Sequence, residues 1–463
     1  MLSKQSSWIQ KTPLVAIICC VIYWLYLAST TQPILVHDAL GYEHLGSLLY
    51  KEGWIEYFKT GPNREPVYPI LISLSMRLAD ILSVSYLSIQ IFFQFCILFI
   101  SQLLLLKILR KFQIHPIIQT VTLFYFGFSP AVINSACSLF SEIASYPLIL
   151  ATIIVGYVSV EKLSQLNSKK DYLLAFVWGI LFFLLTLTKA IFEIITPAFF
   201  LICIIYAIKN RRLGLKMAIF FLIFIFSFEI PVFLYKSANQ KYNGHFALTD
   251  RGAWALYGNI ARRMEKLNNQ RMQSAAAFIP GEQFCQKALG KDRCAFWSWR
   301  ISDDLGAEKR QELESYHLPA QKADQTLIKL AIGKMLVNPL QAAGLGLVEG
   351  AKMLFWESTQ IGFVAYPSWL QKLYDRQVFS YGLSFLMALL TILSLFYTLQ
   401  LTFIEKKNGH IERLGLILAL IILFIAVHSF FYILPRYALP LVPLYLIIIA
   451  VATNQFLGQR KSR

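Results

Sequence analysis

Asp38 stands just beyond an apolar run that ends near Thr31, and Tyr42 follows it at i+4, the spacing that shares one face of a helix. A carboxylate fixed at the end of a membrane span is held at one height, where it can act as a general base on a substrate hydroxyl. A solvated loop acid would use the same residue type, but partial burial beside lipid makes an idle charge costly. In "REPVYP", Arg64 and Glu65 precede Pro66, and a proline bars the residue before it from continuing a helix. Arg64 is thus held at a break, where a guanidinium can grip two phosphate oxygens at once; a plain Arg64–Glu65 surface pair is the alternative. Two more cations stand at comparable places. Lys189 ends the apolar run in "LTK", as a phosphate ligand or a snorkelling lysine. Arg436, in "PRY" between Pro435 and Pro440, would lie among apolar walls, where a phosphate or carboxylate partner offsets the cost of its charge. Tyr42, Glu65 and Tyr437 are the further site candidates beside them.

These residues need elements to hold them, and the composition says which. The chain has 463 residues, 57% hydrophobic and only 15% charged, with a mean hydropathy of +0.55, which excludes an ordinary soluble domain and points to an all-α polytopic membrane protein. The run from Pro13 to Ala28 is longer than a typical signal-peptide core and is followed by many others, so it reads as a retained signal anchor. Ten stretches are long enough for ~30 Å of hydrocarbon: 13–31, 84–106, 116–135, 143–160, 172–189, 190–208, 215–235, 380–403, 414–434 and 438–456. Basic flanks at Lys4/Lys11, Lys107/Arg110/Lys111, Lys162/Lys169/Lys170, Lys209/Arg211/Arg212/Lys216, Lys406/Lys407/Arg413 and Arg460/Lys461/Arg463 fall on one side of this arrangement, so both termini are expected in the cytoplasm. Two further apolar segments, 66–82 and 339–355, carry charges and would break that pattern as single spans. They are expected at the outer interface as amphipathic or re-entrant helices; the alternative, that both cross, keeps the ends of the chain on the same side and inverts the loops between them.

The organisation that follows has an N-terminal transmembrane module, 1–235, with a first outer loop at 32–83. A mostly helical outer region follows at 236–379, and C-terminal spans occupy 380–463. Between Lys236 and Lys334 there are 16 Lys and Arg against 10 Asp and Glu by direct count, a cationic surface beside the outer leaflet that suits an anionic, lipid-linked ligand or is simply a solvated basic face. Five of the seven cysteines lie in spans as small apolar residues. Cys285 and Cys294 lie in the outer loop, and a disulfide between them is expected there in preference to free thiols or zinc. His37 and His44, seven apart near one helical face, could ligate a metal with Asp38, but no further ligand has a compelling position, so a divalent metal is possible without being indicated. "GLGLVEG", Gly344 to Gly350, is not a dinucleotide fingerprint and reads as close helix packing at Gly346 and Gly350. Nucleic acid is not an expected partner, because the net charge of +17 is spread over many flanks and one loop.

Five stretches taken in order carry a resemblance: "D-A-x-x-Y" at Asp38–Tyr42, "REPVYP" at Arg64–Pro69, "FSPAVINSACSLFSE" at Phe128–Glu142, "LLTLTKAIFEIITP" at Leu184–Pro197 and "LPRYALPLVPLYLIIIA" at Leu434–Ala450. Over roughly 10–235 and 375–455 the chain resembles the GT-C superfamily of membrane glycosyltransferases. It is most similar to the family-39-like branch with the lipid A aminoarabinose transferases and protein O-mannosyltransferases. The resemblance implies a catalytic base at Asp38, a phosphate-binding cation at Arg64 and a second acid at Glu142. It also implies a polyprenyl-phosphate sugar as donor and a glycolipid, glycan or protein as acceptor, with membrane lipid around the site. No cofactor is called for, and a divalent metal is not indicated. Two departures stand out: Glu65 intervenes where the family often has a second proline after the cation, and His37 rather than an acid precedes Asp38, which counts against protein mannosylation. The expected place is the cytoplasmic (inner) membrane, multi-pass, with the active site facing the periplasm or exterior. A lipid-linked glycan polymerase or ligase is the alternative among enzymes. A polytopic transporter or flippase is the alternative outside them, although no half-repeat is visible.

Overall fold

The computed structural model describes residues 7–162, 168–209, 214–357, 362–404 and 409–461; Lys4, Arg211, Arg212, Lys406, Lys407 and Arg463 of the basic flanks lie outside the described residues. The chain is an all-helical, multi-pass membrane protein. Its apolar runs become helices because lipid offers no partner to a backbone N–H or C=O, so each must be satisfied within its own segment. The first half contains α1 (Ser7–Thr30), α2 (Asp38–Lys51), α3 (Trp54–Lys59), α4 (Val67–Leu82), α5 (Tyr86–Lys111), α6 (Pro116–Phe128), α7 (Pro130–Cys137), α8 (Glu142–Lys162), α9 (Lys169–Thr188), α10 (Phe192–Lys209) and α11 (Leu215–Asn243). A run of shorter helices follows: α12 (Gly252–Arg263), α13 (Asn269–Ala277), α14 (Glu282–Leu289), α15 (Lys291–Ala295), α16 (Trp299–Ser315), α17 (Ala320–Val337), α18 (Pro339–Lys352) and α19 (Ser368–Tyr374). Then come α20 (Gln377–Ile404), α21 (Gly409–His428), a 3₁₀ turn (Pro435–Leu441) and α22 (Val442–Lys461).

Among the described residues, α1, α5, α8, α9, α11, α20 and the 3₁₀ turn with α22 are long and apolar enough to cross a membrane, seven in all, or nine if each of two bent pairs counts as one crossing. The expected ten exceeds this. All ten stretches are largely helical; among the described residues the apolar parts of α10 and α21 cover Phe192–Ile205 and Leu414–His428, within helices of 18 and 20 residues. The first bent pair, α6 and α7, turns by 45° at Ser129, whose Oγ accepts the Val132 N–H at 3.3 Å, with Pro130 supplying a first helical residue that needs no partner for its nitrogen. The second, α17 and α18, turns by 108° at Asn338, whose side chain caps α18 through the Gln341 N–H at 3.2 Å. A bend of that size suits a broken span or a re-entrant segment alike. The other charged apolar segment, 66–82, forms α4, laid against α2.

Close approach of helices depends on a few small residues. A Cβ on Gly179 of α9 would come within 2.0 Å of Ser227 Oγ on α11, and one on Gly46 of α2 within 2.5 Å of the Ile72 side chain on α4. Gly350 of α18 packs on α21, where a Cβ would meet Ile425 at 3.1 Å, and Gly346 faces Ser429. The packing reading of "GLGLVEG" therefore holds. The region between α11 and α20 carries its own small cores, one around Phe278, Trp297 and the Cys285–Cys294 disulfide, another around Ala253, Leu313 and Leu327. A two-stranded antiparallel ladder ties the ends of this arrangement together: β1 (Gln32–Pro33) pairs with β2 (Val364–Ala365).

Candidate functional site

Asp38 is the first residue of α2, reached through His37, which adopts a left-handed φ of 47°. That turn starts the helix so that Ala39, Tyr42, Leu45 and Leu49 face inward, and it leaves the Asp38 carboxylate at the rim of the buried face. Both of its oxygens are occupied. Arg64 Nη2 donates to Oδ1 and Arg436 Nη2 donates to Oδ2. Arg64 comes from the break before α4, where the Tyr57 hydroxyl donates to its carbonyl at 3.1 Å, and its guanidinium lies 5.2 Å over the Tyr42 ring. Arg436 comes from the 3₁₀ turn, with its guanidinium 4.7 Å over the Phe140 ring and 5.6 Å from that of Tyr437. Burial opposes charge on Asp38, but Arg436 and then Arg64 outweigh it and hold the carboxyl well below the usual carboxylate range.

A second ion pair lies beside the first. Glu142, at the start of α8, and Lys189, at the end of α9, meet at 2.9 Å with the carboxylate almost fully buried. The two pairs are stitched together by Tyr42, whose hydroxyl is 2.9 Å from Ser141 Oγ, next to Glu142 in the chain. Arg436 also acts electrostatically on Glu142, and Lys189 on Tyr42. Asp38, Arg64, Glu142, Lys189 and Arg436, five residues singled out from sequence, thus form one cluster with three cations and two acids. Glu65 stands at its edge in a different role: its Oε1 accepts the Ala190 N–H at 2.8 Å, at the start of α10. Arg64 takes Asp38 as its carboxylate, so the simple Arg64–Glu65 surface pair is not what the structure contains.

His37 and His44 do not converge. The His37 ring lies 5.7 Å from that of Phe363, whereas His44 lines a cleft of about 730 Å³ with Glu43, Lys51 and Asp80, between α2, α4 and the start of α5. Among the described residues no three His, Cys, Asp or Glu side chains are grouped as a metal site would need.

Four residues escaped sequence reasoning, three of them touching the cluster or acting on its charge and the fourth at the α6–α7 bend. Phe140 and Ser141 sit in the loop before Glu142, and an aromatic and a serine in an apolar stretch carry no signal that they will flank a guanidinium and a tyrosine. Asp303 on α16 feels the Asp38 charge; burial raises its carboxyl to about 6, with Arg251 opposing and the charges of Asp304 and Asp38 adding to the rise. Glu357 is buried at the α6–α7 bend, accepting from Tyr125 Oη at 2.6 Å, Ser129 Oγ at 2.7 Å and the Ala131 N–H at 2.8 Å. An acid immediately after an apolar segment was a usable hint, but its three partners lie more than 200 residues earlier.

Chemically, the cluster can do two things. Its surplus cation and its two convergent guanidinia suit an anion with several oxygens, and its carboxylate can accept a proton once an anion has drawn those guanidinia away. Compared with known proteins, the chain matches no family model and no curated protein.

Proposed function

We propose that this chain is a membrane glycosyltransferase that moves a sugar from a polyprenyl-phosphate donor to an acceptor hydroxyl at the outer face of the cytoplasmic membrane. The observation that carries this reading is the meeting of Arg64 and Arg436 on the two oxygens of Asp38. In this reading the bundle crosses ten times, α10 and α21 included, with both termini in the cytoplasm and the Asp38 end outside, as the basic flanks require.

The resting ion pairs suggest an order of events. The donor phosphodiester presents two charged oxygens, as Asp38 does, and competes with that carboxylate for the guanidinia of Arg64 and Arg436. Asp38, released from its two partners, recovers basicity beside the acceptor hydroxyl. The acceptor oxygen then forms a bond to the anomeric carbon while the bond from that carbon to the phosphate oxygen breaks. The electron pair leaves with the lipid phosphate, Asp38 takes the acceptor proton, and the anomeric centre inverts. Charge grows on the departing phosphate in this step, which is where a preorganised guanidinium contributes most. Lys189, held by Glu142, adds a third positive charge to the same end of the cluster.

The test has two arms. Mass spectrometry compares envelope glycolipids and glycans from cells with and without the intact protein, and the purified protein is then given the lipid-linked sugar so named. Loss of one sugar modification together with its transfer in vitro is the expected result. An unchanged envelope and no transfer would reject the reading; a product extended by repeated lipid-linked units would shift it to a polymerase or ligase.

A further inference from the structure

Phe430 to Leu434 connect the end of α21 to the 3₁₀ turn that carries Arg436, and they belong to no helix or strand. Irregular backbone inside a protein must find its hydrogen bonds elsewhere. Here three of them go to side chains from α12 and α18. Asn259 Nδ2 donates to the Phe430 carbonyl at 3.0 Å, Arg263 Nη2 donates to the Phe431 carbonyl at 3.2 Å, and the Ile433 N–H donates to Glu349 Oε2 at 3.4 Å.

Those side chains are themselves locked. Arg262 donates to Asn259 Oδ1 at 2.7 Å, to Glu349 Oε1 at 3.1 Å and to the Trp297 carbonyl at 2.9 Å, and it lies 5.4 Å from the Tyr432 ring centre. Lys352 pairs with Glu349 Oε2 at 2.8 Å. Asn259, Arg262 and Arg263 have no exposed surface, and Glu349 and Lys352 almost none. Two buried cations, Arg262 and Lys352, pair with one buried carboxylate, and the buried Arg263 adds a third positive charge that acts on it electrostatically. Apolar side chains of the same volume would serve stability as well or better, so a buried charge cluster calls for another reason. Its bonds supply one, because they converge on the backbone of a single short segment that ends at Arg436.

We infer that Asn259, Arg263 and the Arg262–Glu349 pair are positioning residues for Arg436. They fix the 430–433 backbone, Pro435 continues it with a restricted φ, and the guanidinium is delivered to Asp38. The functional weight of this inference rests on the reading of Arg436 as a phosphate ligand, but its geometry can be tested without any sugar donor. Cysteines replace Asp38 and Arg436 in a background whose free cysteines are alanine, which removes the ion pair and leaves the tether as the restraint. Purified protein is treated with a short bis-maleimide, and the rate of 38–436 cross-linking is compared with that of a control pair at Tyr42 and Ser141. Arg263→Met should slow the 38–436 reaction at least fivefold and leave the 42–141 reaction unchanged, and Arg263→Lys should restore more than half of the lost rate. Equal 38–436 rates with and without Arg263→Met would overturn the inference, as would a parallel fall at both pairs, which marks a general loss of structure. A failed transfer assay would leave these results standing, and a failed cross-link would leave the proposed reaction standing.

Discussion

Asp38 is bound on both oxygens, so its substitutions separate chemistry from architecture. Asp38→Asn should reduce transfer by ~10²–10⁴-fold, the usual worth of a general base, in a protein that still inserts; turnover of the purified variant near that of the parent would remove Asp38 from the reaction. Arg64→Lys keeps the charge but loses the planar fork, and Arg64→Ala loses both, so donor affinity and turnover should fall in that order. Glu65→Gln should leave donor affinity alone and cost about 0.5–1 kcal/mol of stability through its bond to the start of α10. Matching effects at positions 64 and 65 would return Arg64 to a surface role. Two acids also differ in pH response. The depressed Asp38 carboxyl contributes stability that is complete above its unfolded value and is lost as pH falls through its lower folded one, so it is silent between pH 5 and 8. Asp303 is raised to about 6, so its contribution is present at low pH and is lost as pH rises through that value. Melting curves at pH 4.5 and 7.5 should show a smaller loss of stability on going alkaline in Asp303→Asn than in the parent. An identical loss in both would deny Asp303 its half-buried environment.

At the scale of elements, what was legible in the sequence is what neighbouring residues decide. The end of the first run marks where Asp38 begins a new helix, Pro66 marks the break that holds Arg64, and hydrophobic length marks all ten helical stretches. The end of α21 was less legible: the helix stops at His428, six residues before the apolar run does, and the run itself gives no sign of that end. That Arg436 faces Asp38 was not legible, since the two are 398 residues apart and either cation would suit a phosphate equally well. Glu357 shows the same limit. It satisfies the α6–α7 bend across more than 200 residues, and removing it leaves a tyrosine, a serine and a helix N-terminus without their acceptor. Glu357→Ala should therefore cost at least about 3 kcal/mol of unfolding free energy in detergent, at roughly 1–3 kcal/mol for each of the three groups left unsatisfied. A change under about 0.5 kcal/mol would show that water replaces the carboxylate there.

For the molecule as a whole, orientation is the open quantity that one labelling experiment decides. Gln270 lies in α13 and Lys170 in the first turn of α9, and both are exposed. With single cysteines at these positions, in a background free of other thiols, an impermeant maleimide should reach Gln270→Cys from outside intact cells and Lys170→Cys only after the membrane is opened. Reaction of both from the same side would refute the ten-crossing topology and, with it, the outward-facing site.

The distance along the chain between Asp38 and Arg436 also sets a schedule for the protein's birth. At about 5–20 residues per second of synthesis, roughly 20–80 s pass between the moment Asp38 leaves the ribosome and the moment Arg436 does. During that interval Arg64 must stand alone against the carboxylate, β1 waits for β2, and nine of the ten proposed crossings are made before Arg436 appears. A chain that stops before Arg436 therefore carries Asp38 with only one of the two guanidinia that hold it in the finished protein.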